Sequence, residues 1–177
     1  MQRESNKPHA IVQNCWVVPD IKAAMRHWLN LGYGPFLTLD LELPGITYRG
    51  QPSSVPLNFS MAFTQAGELN IELIQQHSSG PSAYRDVYGP NEGGFHHVCW
   101  ICADYALEKK ALLKRGFAVA HEACMGELNF CYVDVRAEFG CMLELVPDVP
   151  MIRNMYQAVR DASIGWDGSD PIRQLTL

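Results

Sequence analysis

Hydrophobic and polar positions alternate along much of the chain and change to a helical period in a few segments. Four segments rich in apolar, β-branched and aromatic residues are predicted as strands in the first part of the chain: 9–18, 36–43, 57–64 and 69–75. Apolar residues recur at helical spacing over 21–31, after a suitable N-cap at Asp20 and before a stop at Gly32. This predicts the order β-α-β-β-β, with residues 46–56 as an irregular insertion.

The same order returns after residues 76–94, a linker in which Gly, Pro and Ser are frequent and no period holds. A helix is predicted over 104–115. Strands are predicted around it at 95–102, 117–122, 128–135 and 141–146. In the remaining tail, 149–177, apolar residues at helical spacing from Met151 to Ala162 predict one more helix, followed by a turn-rich cap at 166–171.

The two halves also repeat each other residue by residue. The segment Gln13-Asn14-Cys15-Trp16-Val17 matches His97-Val98-Cys99-Trp100-Ile101 at an offset of 84 residues. We therefore interpret 9–75 and 95–148 as two βαβββ modules of one α+β fold. Each module offers a small curved sheet with its helix outside, and the two sheets are expected to pair into a partly open, barrel-like sheet around a cavity.

Charge and composition exclude several classes of protein. The net charge is −5 and no basic stripe is present, so a nucleic-acid partner is not expected. No apolar run approaches the length of a membrane span, and the first residues lack the apolar core of a secretion signal. We therefore expect a cytoplasmic protein whose six cysteines stay reduced, with Cys99 and Cys102 on opposite faces of one strand.

Four residues at equivalent positions of the two modules form a candidate metal site: Gln13, Glu72, His97 and Glu144. An ionised Glu in an apolar strand is costly unless it is paired or bound to a cation. One imidazole, two carboxylates and an amide suit Zn²⁺, Ni²⁺, Co²⁺, Mn²⁺ or Fe²⁺. The alternative for Gln13 is a surface or hydrogen-bonding role. His96 is a competing ligand, but it is expected on the other face of the strand as a partly exposed or hydrogen-bonding residue. The remaining histidines are predicted at the surface: His9, His27, His77 and His121.

These residues carry a family resemblance. The duplicated strand-Asp-helix-Gly unit, the segment Gly94-Phe95-His96-His97-Val98 and the segment Met142-Leu143-Glu144-Leu145-Val146-Pro147 resemble the vicinal oxygen chelate superfamily over residues 9–148. That superfamily includes glyoxalase I, methylmalonyl-CoA epimerase, extradiol dioxygenases and bleomycin-resistance proteins. The resemblance implies the paired βαβββ fold and the same four ligands. The order Gln, Glu, His, Glu is similar to the eukaryotic-type glyoxalase I set, and Gln13 departs from the first His of the dioxygenases.

The function implied is a metal-dependent isomerase, epimerase or lyase acting on a small carbonyl substrate or thioester through an enediolate or enolate. We nominate Glu144 as the catalytic base and Glu72 as the second candidate, since a desolvated carboxylate is tunable toward neutral pKa. Arg49 is the isolated candidate for an anionic substrate group. A homodimer is expected, because edges of antiparallel sheets tend to pair.

Two other functions stay open. One is an Fe-dependent dioxygenase with the same pocket. The other is a non-catalytic protein that binds an aromatic compound or confers resistance to one. Its pocket would be lined by aromatic residues, for which the sequence offers Tyr33, Phe36, Tyr48, Phe59, Phe63, Phe130 and Tyr132.

Overall fold

The computed structural model describes residues 9–126 and 128–176. Its strands are β1 (Gln13–Val17), β2 (Phe36–Leu43), β3 (Ile46–Tyr48), β4 (Gln51–Ser53), β5 (Leu57–Ala66), β6 (Leu69–Gln76), β7 (Gly94–Cys102), β8 (Ala118–Met125), β9 (Leu128–Asp134), β10 (Met142–Pro147) and β11 (Ile172–Gln174). Its helices are α1 (Ile21–Asn30), α2 (Tyr105–Lys114), α3 (Arg136–Phe139) and α4 (Pro150–Ser163). The predicted α+β class is confirmed.

All these strands form one curved, unclosed sheet in the order β11-β2-β5-β6-β1-β7-β10-β9-β8-β3-β4. The first strands of the two halves, β1 and β7, lie side by side and antiparallel at its centre, and each is flanked by a parallel partner, β6 or β10. The register follows the repeat, because Gln13 lies opposite Cys99 and Cys15 lies opposite His97. The pseudo-twofold arrangement therefore brings the repeated residues together at the middle of the sheet.

The two strands that flank the central β1–β7 pair, β6 and β10, carry the two candidate carboxylates. Glu72 of β6 lies opposite Cys15, and Glu144 of β10 lies opposite Cys99. The two glutamates thus occupy equivalent places on either side of the β1–β7 pair. Their positions follow from strand pairing alone.

The helices α1 and α2 begin where the sequence predicts. The Asp20 carboxylate accepts a hydrogen bond from the backbone N–H of Ala23 at 2.9 Å, and Asp104 accepts one from that of Leu107 at 3.0 Å. These caps satisfy backbone donors that have no partner within the helix. Both helices cover one side of the sheet, α1 through Ile21 and Met25, and α2 through Leu112.

The tail helix α4 lies on the other side of the sheet. Ala62 of β5 belongs to the apolar cluster beneath α1, whereas its neighbour Phe63 packs with Val159 of α4. Adjacent residues of a strand point to opposite faces, so α1 and α4 cover opposite faces of β5. The sequence predicts this helix but gives no indication of the face on which it packs.

Residues 46–56, predicted as irregular, contain a short hairpin of β3 and β4, so that prediction is wrong. Arg49 and Gly50 between them both have positive φ, at 49° and 78°, which is the geometry of a tight two-residue hairpin turn. The strand β3 pairs with β8 through Thr47 and Glu122. Strands of three residues show no usable period, and this hairpin depends on its partner strand.

Two other short elements were also not predicted. The helix α3 lies in the connection between β9 and β10, and β11 extends the sheet by pairing in parallel with β2. Both are too short to produce a period in the sequence. The β11 pairing anchors the end of the tail to the sheet edge.

Candidate functional site

A histidine and two carboxylates meet at the centre of the sheet. His97 Nε2 lies 3.4 Å from Glu72 Oε2 and 3.4 Å from Glu144 Oε2. The exposed fractions are 0% for His97, 4% for Glu72 and 9% for Glu144. Gln13 is also buried, and it lines the same cavity as the two glutamates. The four residues nominated from the sequence are thus gathered around one place.

A bulge in β7 explains how His97 is supported. Cys15 pairs with His97 and Trp16 with Phe95, so His96 is an extra residue without a partner in β1. Bulges redirect side chains, and here the two neighbouring histidines contact each other through their Nδ1 atoms at 2.9 Å. His96 is fully buried, so partial exposure is excluded and the predicted hydrogen-bonding role is the one the structure has. The prediction assumed an uninterrupted strand.

The hydrogen bonds of His96 fix the protonation pattern of the pair. His96 Nε2 lies 3.0 Å from the carbonyl oxygen of Ala83, which only accepts, so Nε2 carries the proton. Burial lowers the pKa of His96 to about 3, which keeps this ring neutral and makes its Nδ1 an acceptor. His97 Nδ1 therefore donates to His96. A neutral His97 then directs the lone pair of Nε2 toward the carboxylates of Glu72 and Glu144.

The centre of this cluster contains unsatisfied polar atoms. Within the described residues, His97 Nε2 and Glu72 Oε2 are buried and have no hydrogen-bond partner. Their 3.4 Å contact is long for a hydrogen bond and is poorly aligned. Buried polar atoms without partners are costly, and here a lone pair and carboxylate oxygens converge. A bound cation or an added proton would satisfy them.

The pKa values describe the site with a proton at this centre. Burial lowers the pKa of His97, but the nearby carboxylates of Glu144 and Glu72 outweigh it and raise the value to about 9. Burial raises the pKa of Glu72 above its ordinary value. Burial also acts to raise the pKa of Glu144, but the close contact with a charged His97 outweighs it, so the net shift is downward. Glu144 is therefore the more readily ionised carboxylate.

Two further side chains at the site were missed by the sequence analysis. Asn70 Oδ1 accepts a hydrogen bond of 2.9 Å from Gln13 Nε2, which leaves Gln13 Oε1 as the free acceptor of that amide. Asn70 stands two residues before Glu72 on β6, hence on the same face, and this spacing was a usable signal. The Sγ atom of Cys15 lies within 4.8 Å of ligand atoms of Glu72 and His97.

Cys15 differs chemically from the other residues of the cluster. Burial and the neighbouring Glu72 raise the pKa of its thiol well above the ordinary value. The thiol therefore stays neutral, and a neutral thiol is a weak metal ligand. Its position was readable from the sequence, because it shares one face of β1 with Gln13.

The cluster forms one end of a narrow, mostly apolar cavity. The cavity has a volume of about 80 Å³. Four of the aromatic residues nominated from the sequence line it: Phe59, Phe63, Phe130 and Tyr132. Other lining residues come from the linker and the tail helix: Tyr84, Met151, Ile152, Met155 and Tyr156. The linker has no period, so the sequence contained no signal for Tyr84.

The other nominated aromatic residues lie elsewhere. Phe36 packs beneath α1, Tyr33 contacts the ring of Trp28, and the Tyr48 hydroxyl donates to Asp86. Arg49 also forms ion pairs with Asp86 and with Asp134, so the isolated candidate for an anionic substrate group is already neutralised.

His121 is fully buried, although it was predicted at the surface. Its ring packs among Tyr84, Phe130 and Tyr132, and neither ring nitrogen has a hydrogen-bond partner within the described residues. Its position on β8 shows no period that would have revealed this burial.

All six cysteines are free thiols, as predicted. Cys99 belongs to the apolar cluster around the cavity and Cys102 to the cluster beneath α2, so they face opposite sides of β7. None of the helices in the described part of the chain is long and apolar enough to cross a membrane.

Comparisons with known proteins agree with this architecture. The sequence model of the Glyoxalase/Bleomycin resistance protein/Dioxygenase superfamily matches residues 12–132, which is more than half of the chain. The chain therefore belongs to that superfamily. No curated protein sequence matches it at a significant level.

Several solved structures share the fold. A methylmalonyl-CoA epimerase from Mycobacterium tuberculosis is 12% identical, with a TM-score of 0.55, over 85% of this chain and 97% of that one. An epimerase from Streptomyces coelicolor in complex with 2-nitronate-propionyl-CoA is 16% identical, with a TM-score of 0.57, over 81% and 97%. A hypothetical protein from Bacillus halodurans C-125 is 17% identical, with a TM-score of 0.53, over 81% and 96%. At these identities the likeness concerns the fold.

Proposed function

We propose that this member of the superfamily is a metal-dependent isomerase, epimerase or lyase that moves a proton next to a substrate carbonyl. The proposed ligands of its divalent metal are Gln13, Glu72, His97 and Glu144. The observation that supports this most is the convergence of His97 Nε2 and two buried carboxylates at distances of 3.4 Å, with no hydrogen bond to satisfy His97 Nε2 and Glu72 Oε2.

The donor atoms present fit a divalent metal. A neutral imidazole whose second nitrogen donates to a neighbour is the usual form of a histidine ligand, and His96 supplies that neighbour. Two carboxylates balance the charge of a divalent ion, and the Gln13 amide adds an oxygen. This set suits Zn²⁺, Ni²⁺, Co²⁺, Mn²⁺ or Fe²⁺. When bound, such an ion supplies Lewis acidity that stabilises negative charge on substrate oxygens.

The two glutamates divide the proton chemistry between them. Glu144, the more exposed of the two buried carboxylates in the cavity lining, accepts the proton from the carbon next to the carbonyl. The electron pair of the broken C–H bond forms a C=C bond, and the π electrons of the carbonyl move to its oxygen. Glu72, at the equivalent place on the other side of the β1–β7 pair, is the second candidate for holding and returning the proton. Apolar walls exclude water that would otherwise exchange this proton.

The test combines metal content with proton exchange. Tag-free protein is expected to contain one divalent metal, measured by elemental analysis. In D₂O the loaded protein is expected to exchange the hydrogen on the hydroxyl-bearing carbon of acetoin, a compact α-hydroxy ketone, followed by NMR. The variant Glu144→Gln is expected to keep most of the metal and to lose exchange by about 100-fold or more. Exchange by Glu144→Gln at the wild-type rate would refute the assignment of the base.

A protein without metal that gains none from any of the five ions would refute the proposal as a whole. The apolar cavity then favours the second candidate, a non-catalytic protein that binds an apolar compound. Such a binding protein would keep the same affinity for its ligand when a metal chelator is added. Consumption of O₂ with Fe²⁺ and a catechol would instead identify a dioxygenase.

A further inference from the structure

We propose that the site selects a compact, uncharged apolar substrate that presents two neighbouring oxygens, and that α4 supplies the wall responsible for this selection. The inference rests on the proposed function and deepens it by naming the substrate class. In this proposal the residues at the centre of the sheet carry out the chemistry, and α4 recognises the rest of the substrate.

The lining of the cavity offers nothing to a substrate anion. Leucine, methionine, isoleucine, valine and aromatic side chains form most of it, and no lysine or arginine of the described residues is among them. The charged residues in the lining are Glu72 and Glu144, both acids. Because these two carboxylates balance the charge of the proposed ion, a substrate carboxylate or phosphate elsewhere in this cavity would lose its hydration without a protein cation to pair with, which is unfavourable.

Three arginines are engaged with carboxylates outside the cavity. Arg153 and Arg160 of α4 form ion pairs with Asp148 and Glu68. Arg49, as described above, is held by two aspartates. Since no lysine or arginine of the described residues lines the cavity, its walls offer no cation for an acyl carboxylate such as that of a methylmalonyl group.

The apolar wall opposite the sheet comes from the tail. Met151, Ile152, Met155 and Tyr156 of α4 all line the cavity, and α4 lies beyond the residues that match the superfamily model. Methionine side chains are flexible and adapt to irregular apolar ligands. The selectivity is thus carried by a segment added to the common fold.

The tail is also fixed beyond this wall. Val159 of α4 is buried against β2 and β5 residues, and β11 pairs with β2 farther along. The ring of Trp166 packs directly on Gly34. A wall anchored in this way keeps its position, so the narrow cavity of about 80 Å³ favours a flat ring or a short alkyl group over a bulky one.

Hydroxamates provide matched probes, because all of them offer the same pair of neighbouring oxygens to a metal. Wild-type protein loaded with Mn²⁺ is titrated calorimetrically with acetohydroxamate, benzohydroxamate and 4-carboxybenzohydroxamate. Each fully buried carbon is worth about fourfold in affinity, so the five extra carbons of benzohydroxamate are expected to tighten binding over acetohydroxamate by about 100-fold when partly buried and about 1,000-fold when fully buried. The added carboxylate is expected to weaken binding at least about tenfold.

A substitution at the mouth tests the role of α4. Met151 is 40% exposed and lines the cavity, so Met151→Lys introduces a cation without disturbing the core. This variant is expected to bind the carboxylated probe about threefold more tightly than wild type does. Met151→Gln controls for lost apolar surface. Ile164→Lys, at a residue that is 72% exposed and outside the cavity, controls for net charge and is expected to match wild type.

The outcomes separate this inference from the proposed function. Equal affinities for the three probes in protein that holds Mn²⁺ would overturn the inference and leave the metal site standing. Tighter binding of the carboxylated probe by wild type would overturn it as well. Protein that holds no Mn²⁺ and binds no hydroxamate would overturn both, because a chelating substrate requires the ion.

Discussion

Replacing Glu72 by Gln has opposite consequences in metal-free and metal-loaded protein. The substitution keeps the shape of the side chain and removes a carboxylate that is 4% exposed and whose Oε2 atom has no hydrogen-bond partner among the described residues. Without metal, removing a buried charge whose pKa is already raised leaves the free energy of unfolding equal or higher. With metal, the same change replaces a charged carboxylate ligand by a weaker, neutral amide.

The size of the metal effect follows from mass action. At a free Mn²⁺ concentration 100 times the dissociation constant, binding stabilises the folded protein by about 2.7 kcal/mol. For a chain of this length that raises the melting temperature by roughly 5–11 °C. If loss of the Glu72 ligand weakens binding about 100-fold, the stabilisation at the same Mn²⁺ concentration falls to about 0.4 kcal/mol.

Differential scanning calorimetry with and without Mn²⁺ measures both effects. Mn²⁺ is preferred to Zn²⁺ here, because Zn²⁺ binds the cysteines of the unfolded chain and masks the stabilisation. The matched control is Glu68→Gln, which removes the same charge from a side chain that is 92% exposed, in the turn between β5 and β6. Its Mn²⁺ shift is expected to equal that of wild type. An equal shift in the Glu72→Gln variant would refute Glu72 as a ligand.

Further predictions concern other parts of the molecule. Burial lowers the pKa of His121 from 6.5 to about 4, so its contribution to stability is present above pH 6.5 and is lost as the pH falls toward 4. In urea titrations, the gain in stability from His121→Phe is expected to be about 2 kcal/mol larger at pH 5 than at pH 7, and equal gains would contradict the buried neutral ring. A Cβ atom at Gly34 would lie 2.5 Å from the Trp166 ring, so Gly34→Ala is expected to lower the free energy of unfolding by about 1–3 kcal/mol. Multi-angle light scattering is expected to report a homodimer, and a monomer mass at all concentrations would contradict this.

The sequence predicts the fold best in the segments where a clear hydrophobic period and the internal sequence repeat occur together. The offset of 84 residues placed Gln13 and His97 at equivalent positions, and the β1–β7 register agrees with that offset. Both helix N-caps were also readable, because Asp20 and Asp104 act through local geometry. These features depend on residues close in sequence or on a comparison of the chain with itself.

The missed features depend on long-range packing. The bulge that turns His96 toward His97 arises from a mismatch between β7 and β1, which neither strand shows alone. Tyr84 reaches the cavity from a linker without a period. The side of the sheet covered by α4 depends on how the tail returns to β2 through β11. Each of these three features is set by contacts between segments that are distant in the sequence, so it is visible only in the folded chain.

The bulge also connects the chemistry of the centre to the linker. His96 joins His97 to the carbonyl oxygen of Ala83 through contacts of 2.9 and 3.0 Å, so one linker residue fixes which nitrogen of His97 is free. Next to it, Tyr84 lines the cavity and shares a contact of 2.9 Å with the hydroxyl of Tyr132. Because adjacent linker residues serve the histidine pair and the cavity wall, a displacement of residues 83–84 would disturb the donor set and the substrate wall together.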